Sequence, residues 1–142
     1  MGIVEPQEGI TKMRTLIVED DFTSRLVLQS FLSPYGECHT AVNGREAVAA
    51  FRATQESGQA YDLICMDIMM PEMDGHTAVK EIRALEEAGG IPFAKRVKII
   101  MNTALDDVRN LTNSLRESCD VYLIKPIDRA KLLDHLKALH LA

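Results

Sequence analysis

Five short apolar runs, each closed by polar residues and followed by a stretch of helical length, constrain this chain more than any other feature. They are Thr15-Leu16-Ile17-Val18, the weaker Glu37-Cys38-His39-Thr40-Ala41-Val42, the run from Tyr61 to Met66, Val97-Lys98-Ile99-Ile100-Met101, and Val121-Tyr122-Leu123-Ile124. Runs of this length and β-branched character predict strands buried on both faces. The second, being less apolar, is expected at an edge.

The stretches between them, 21–33, 45–55, 76–88, 106–117 and 128–141, carry apolar residues at helical spacing. The expected inward residues are Phe22, Leu26, Phe31 and Leu32; then Ala47, Val48 and Phe51; then Val79, Ile82 and Leu85; then Val108, Leu111 and Leu115; and last Leu132, Leu133, Leu136 and Leu139. Pro34 with Gly36 stops the first, and Gly89-Gly90-Ile91-Pro92 ends the third. Strands alternating with helices predict an α/β protein: a doubly wound, five-stranded parallel sheet with helices on both faces. Right-handed crossovers at this length favour the strand order 2-1-3-4-5. Residues 1–12 show no periodicity and read as a flexible tail, leaving 13–142 as one domain.

All strand ends of a parallel sheet share one rim. The polar residues closing the runs are Glu19 and Asp20 after the first, Asp67 after the third, Thr103 after the fourth and Lys125 after the fifth. Asp67 opens Asp67-Ile68-Met69-Met70-Pro71-Glu72-Met73-Asp74-Gly75, where Pro71 and Gly75 are expected to forbid regular structure. In the order 2-1-3-4-5, the ligand-binding switch point lies between strands one and three, where Glu19, Asp20 and Asp67 meet.

Crowded carboxylates repel, at about 4 kcal/mol for each unit-charge pair at 4 Å and an effective dielectric near 20. Either their pKa values rise or a cation binds. Oxygen-only ligands suit a hard divalent ion, and Mg²⁺ uses few carboxylates, several waters and phosphate oxygens. The residues therefore read as a phosphoryl-accepting site. Asp67 is the nucleophile. Asp20 and Asp67 hold Mg²⁺ with Glu19 close by. Lys125 supplies a point charge, Thr103 a hydroxyl, and the backbone around Ile68 and Ala104 further donors.

Glu19-Asp20, Asp67-x-x-x-Pro71-x-x-Asp74-Gly75, Thr103-Ala104 and Lys125-Pro126 resemble the receiver (CheY-like) domain of two-component response regulators, over residues 14–141. The resemblance implies the flavodoxin-like (βα)5 fold. It implies phosphotransfer from a sensor histidine kinase or phosphotransfer protein to Asp67, with Mg²⁺ required and the Met69 backbone carbonyl among its ligands. Slow self-catalysed loss of the phosphate follows. Tyr122 matches the aromatic that turns inward when Thr103 moves toward the phosphate, and the Lys125-Pro126 bond would be cis. Met69 and Leu105 sit at positions that tune phosphate lifetime; being bulky and apolar, they should hinder an attacking water. Asn102 departs from the pattern, where an apolar residue is more usual.

Other classes fit less well. A haloacid-dehalogenase-like phosphatase expects a second Asp where Met69 stands. A flavodoxin-like electron carrier expects a phosphate loop where Glu19-Asp20 would repel one. Net charge −5, from 16 basic and 21 acidic residues, argues against direct nucleic-acid binding. No apolar run approaches the roughly 20 residues that span a bilayer, so a cytoplasmic location is expected. Cys38, Cys65 and Cys119 have no CxxC spacing and read as free thiols. A downstream protein is expected on the face formed by 106–117, 121–124 and 128–141, with the chain a monomer or weak phosphorylation-dependent dimer. The alternative parent is a hybrid histidine kinase or multidomain regulator, in which the domain would act in a phosphorelay.

Overall fold

A computed structural model describes residues 12–70, 72–104 and 118–141. Strands β1 (Met13–Val18), β2 (Gly36–Ala41), β3 (Leu63–Asp67), β4 (Lys98–Thr103) and β5 (Val121–Ile124) form one parallel sheet in the order β2-β1-β3-β4-β5. Among the described residues the helices are α1 (Phe22–Leu32), α2 (Gly44–Ser57), α3 (Gly75–Ala88) and α4 (Arg129–Ala138). The helix expected over 106–117 and the tail over 1–11 lie outside the described residues, as do Leu105 and Pro71.

Alternation along the strands splits the core into two layers. Leu16, Val18, Ile64, Met66, Ile99 and Met101 pack against Ala47, Val48 and Phe51 of α2 and Ala78, Val79 and Ile82 of α3. On the other face, Ile17, Leu63, Cys65, Ile100 and Leu123 meet Leu28 and Leu32 of α1 and Leu132 and Leu136 of α4. Each such Leu or Ile, taken fully out of water, contributes about 1.5–3 kcal/mol.

Three expectations need correction. Phe22 and Leu26 are 63% and 48% exposed, and the buried stripe of α1 is Leu28 and Leu32. At 3.6 residues per turn the two pairs lie about a third of a turn apart, so one helix offers two apolar rows and only one faces the sheet. Strands β3 and β4 extend further than their apolar runs, taking in Asp67, Asn102 and Thr103. Gly75 does not break structure; it is the first residue of α3, with Asp74 as N-cap accepting from the Thr77 N–H at 2.8 Å. The glycine is needed for proximity: a Cβ there would lie 2.4 Å from the Asp67 carbonyl oxygen. Its N–H donates to the Ile68 carbonyl at 2.8 Å, tying the start of α3 to the end of β3.

At the amino ends of β4 and β5, a polar network is tied off completely by its own partners. Arg83 donates to the carbonyls of Ser118 (2.8 Å) and Val97 (2.9 Å) and to Glu86 Oε1 (2.7 Å), with Asp120 Oδ2 at 3.4 Å. Buried Glu86 accepts the Val97 N–H at 2.7 Å, and Asp120 accepts that of Ile99 at 2.8 Å.

Candidate functional site

Asp67, the last residue of β3, is 6% exposed at the carboxyl end of the sheet. Its Oδ2 accepts from Lys125 Nζ at 3.0 Å and its Oδ1 from the Met69 N–H at 3.2 Å. The Lys125 ammonium also donates to Glu19 Oε1 at 2.9 Å, so one cation bridges two carboxylates. Glu19 follows β1 and is 1% exposed. Its backbone is held between the Ala41 carbonyl (3.0 Å) and the Arg25 guanidinium (2.8 Å), and its Oε2 accepts the Asp21 N–H at 3.3 Å. Asp20 is exposed, yet oxygens of Glu19, Asp20 and Asp67 all lie within 4.8 Å of one another.

Electrostatics follow from that crowding. Burial pushes the Glu19 carboxyl up to about 7; the Lys125 hydrogen bond pulls it down, and the neighbouring Asp67 charge pushes it up again. For Lys125, burial disfavours the ammonium, but hydrogen bonds to Glu19 and Asp67 outweigh it and the net shift is upward. Two buried carboxylates thus share one ammonium and sit beside a third acid at the water's edge. Clustered carboxylate oxygens with no His or Cys among them fit a hard divalent cation such as Mg²⁺.

Lys125 is set by the backbone: its N–H donates to the Thr103 carbonyl at 2.8 Å, and its peptide bond to Pro126 is cis. Thr103 is fully buried, with its hydroxyl donating to the Ala104 carbonyl at 3.2 Å. Tyr122 pairs with Met101 across β4–β5 and packs, half-buried, on the α2/α3 layer. Met69 stands 61% exposed beside Asp67. The Ile68 N–H is already given to the Asn102 carbonyl at 3.2 Å, so the amide serving the Asp67 carboxylate is that of Met69. Between α1 and the segment after β5, a cleft of about 380 Å³ opens onto the site, lined by Glu19, Thr23, Val27, Lys125 and Pro126 among others.

The bridging of Glu19 by Lys125 and the close approach of Gly75 escaped the reading by sequence. Glu19 was legible as an acid at a strand end, but its burial was not. Gly75 was legible only as a turn residue.

The chain as a whole is similar to known proteins. The family model described as "Response regulator receiver domain" matches residues 15–137, so the chain belongs to the response-regulator receiver family. Its relatives include a probable transcriptional regulator, ycf27, of Cyanidium caldarium, 34% identical over 91% of this chain and 47% of that protein. The chemotaxis protein CheY of Treponema pallidum is 33% identical over 87% of this chain and 79% of its own length. Among solved structures, the receiver domain of the sensor histidine kinase PA1611 from Pseudomonas aeruginosa, which has a magnesium ion in its active-site cleft, superposes with a TM-score of 0.73. It is 32% identical, covering 91% of this chain and 98% of that one. The chain spans about half the length of the ycf27-type regulators it matches. Receiver domains are phosphoacceptor switches of two-component signalling that bind Mg²⁺ and act with histidine kinases or phosphotransfer proteins.

Proposed function

We propose that this chain is a phosphorylation-dependent signalling switch that accepts a phosphoryl group on Asp67 from a phosphohistidine of a sensor kinase or phosphotransfer protein. The observation that carries this is the Asp67 carboxylate held at 3.0 Å by Lys125, with Glu19 and Asp20 clustered beside it at the open end of the sheet. An Asp67 oxygen attacks phosphorus, the P–N bond breaks, and its electron pair returns to the imidazole, which takes a proton. Loss of the phosphate follows when water attacks the same phosphorus and the acyl phosphate P–O bond breaks.

Asp20 and Asp67, with Glu19 adjacent and the Met69 carbonyl as a further ligand, would hold Mg²⁺, which when bound neutralises phosphoryl oxygens. The residues of the chain do the rest. Lys125 trades its carboxylate partner for a phosphoryl oxygen and keeps the accumulated charge balanced. Thr103 releases the Ala104 carbonyl and donates its hydroxyl to the phosphoryl group. Tyr122, in the same layer, moves with it, along with the Ala104 backbone. Met69 and Leu105 limit the approach of water and lengthen the life of the product.

The donor must reach Asp67 across the rim, and exposed Phe22, Leu26 and Val27 on α1 flank that approach. Its docking surface therefore includes this apolar patch. The output partner binds the face of 106–117, 121–124 and 128–141, where phosphorylation shifts a pre-existing equilibrium. We place the domain in the cytoplasm; among the described residues no helix is long and apolar enough to cross a membrane. A second reading, a module of a larger regulator or hybrid kinase passing phosphate onward, is favoured by the 47% of the Cyanidium regulator's length that the chain spans.

The test is incubation with a small phosphodonor and Mg²⁺, followed by mass spectrometry. One phosphoryl adduct on Asp67, labile to base and to hydroxylamine as an acyl phosphate is, and lost in Asp67→Asn, is expected. An adduct elsewhere, or none, overturns the reading.

A further inference from the structure

Asn102 is 1% exposed, and neither its side-chain oxygen nor its nitrogen has a hydrogen-bond partner among the described residues. Burying an amide unpaired is costly, so such a group calls for a reason. Its position supplies one. Asn102 pairs with Asp67 on β3 and with Leu123 on β5. Alternation puts it on the face of Ile100, in the α1/α4 layer; Asp67 shares that face with Leu63 and Cys65. Lys125 begins just past β5, yet its ammonium ends at Asp67 on β3 and at Glu19 beyond β1. Since β4 lies between β5 and β3, the lysine side chain crosses the end of β4, where Asn102 is.

An ammonium has three N–H donors. Two are engaged by Glu19 and Asp67. The Asn102 amide oxygen is an acceptor without a donor, under the lysine's path.

We propose that Asn102 is a positioning residue of the phosphoacceptor site: its side-chain amide oxygen is a third seat for the Lys125 ammonium, beside Glu19 and the phosphoryl oxygen, taken up when Asp67 gives up its share of that cation. An apolar residue at this position offers no such seat. Asn102 acts through Lys125 and not on phosphorus. The proposal rests on the reading of Asp67 as phosphoacceptor for its consequence, but the burial of the unpaired Asn102 amide beside Asp67 in the sheet stands apart from it.

The test compares Asn102→Leu, which keeps the side chain's shape, with the parent chain, each with Lys125 intact and as Lys125→Met. A positioning role predicts that Asn102→Leu slows phosphorylation by a small phosphodonor by roughly tenfold, the scale of one hydrogen bond to a charged group. Its thermal midpoint holds or rises, because an unpaired amide is gone. In the Lys125→Met background the same substitution changes the rate less than twofold, as coupling through the lysine requires. NMR of the Lys125 ammonium, with the beryllofluoride phosphate mimic and Mg²⁺ added, should show its signal displaced by Asn102→Leu. Equal rates with and without Asn102, or the same fold-change in both lysine backgrounds, overturn the proposal and leave Asn102 a holder of buried water. If the parent chain takes no phosphoryl group, the phosphoacceptor reading falls instead, and the Lys125 signal in Asp67→Asn, where the Asp67 charge is gone without phosphate, still decides the seat: displacement on adding Asn102→Leu supports it and constancy overturns it. Asn102→Val, smaller and equally apolar, repeats the comparison should the leucine variant misfold.

Discussion

The two ends of the sheet both bury charge, and they do so in opposite ways. At the amino end of β4 and β5, buried Glu86, half-buried Arg83 and exposed Asp120 engage one another and the backbone of Val97, Ile99 and Ser118, so that each of the three meets a complement. At the carboxyl end, Glu19, Asp20 and Asp67 outnumber the single ammonium of Lys125, and Asn102 lies unpaired beside them. A completed network has one low-energy arrangement and fixes β4 and β5 in place. An incomplete one leaves charge unbalanced.

The largest effect that tests this contrast is at Asp67. Asp67→Asn should abolish phosphoryl uptake by mass spectrometry while leaving cooperative unfolding in denaturant intact. A variant that fails to fold would place structural weight at the wrong end.

At the amino end, Glu86→Leu should do the reverse. Removing a buried partner of Arg83 and the acceptor of the Val97 N–H should cost about 3 kcal/mol in denaturant titration. Uptake by the folded fraction should persist. A cost below about 1 kcal/mol, the range of exposed pairs, would show that the network is ornamental.

A smaller effect concerns product lifetime. Replacing Met69 with Thr and Leu105 with Asn should speed loss of the phosphate several-fold, measured as decay of the adduct after donor removal. Decay unchanged or slowed would remove both from the water-limiting role.

The least change is expected between the two ends. Burial pushes the Cys65 thiol up to about 12, and burial raises those of Cys38 and Cys119 as well. The thiolate is the reactive form. At pH 8, an alkylating reagent should label Cys38 and Cys119 slowly and leave Cys65 untouched until the chain unfolds. Early labelling of Cys65 would mean that the α1/α4 layer opens with the site.

Much of this was legible beforehand for a specific reason. Strands buried on both faces must be apolar throughout, so acids and a lysine closing such runs stand out; Val121–Ile124 was read to the residue. Asp21, which caps α1 by accepting the Ser24 N–H at 2.8 Å, is the kind of short acid that a helix start favours. In the α1 stripe Phe31 and Leu32 were read correctly and Phe22 and Leu26 were not, because Phe22-Leu26 and Leu28-Leu32 are both spaced by one helical turn, and only the sheet's position chooses between them. The Arg83 network joins residues up to 37 apart that close no apolar run. Asn102 was visible as an oddity on β4, but that its amide goes unpaired depends on neighbours from three strands.

Gly75 has one more consequence. Its N–H reaches back to Ile68, while the Gly44 N–H holds the Met73 carbonyl at 2.9 Å, and a Cβ on either glycine would strike backbone at 2.4 Å. Ile68 and Met73, either side of the turn between β3 and α3, are therefore each tied through a carbonyl to a glycine amide. Inserting or deleting a residue there would pull one tie open, whereas residues 89–96, largely exposed and held by the bonds of Ile91 to Glu86 and of Arg96 to Glu87, should tolerate an insertion better. For anyone grafting new sequence onto this scaffold, the second loop is the place to cut and the first is not.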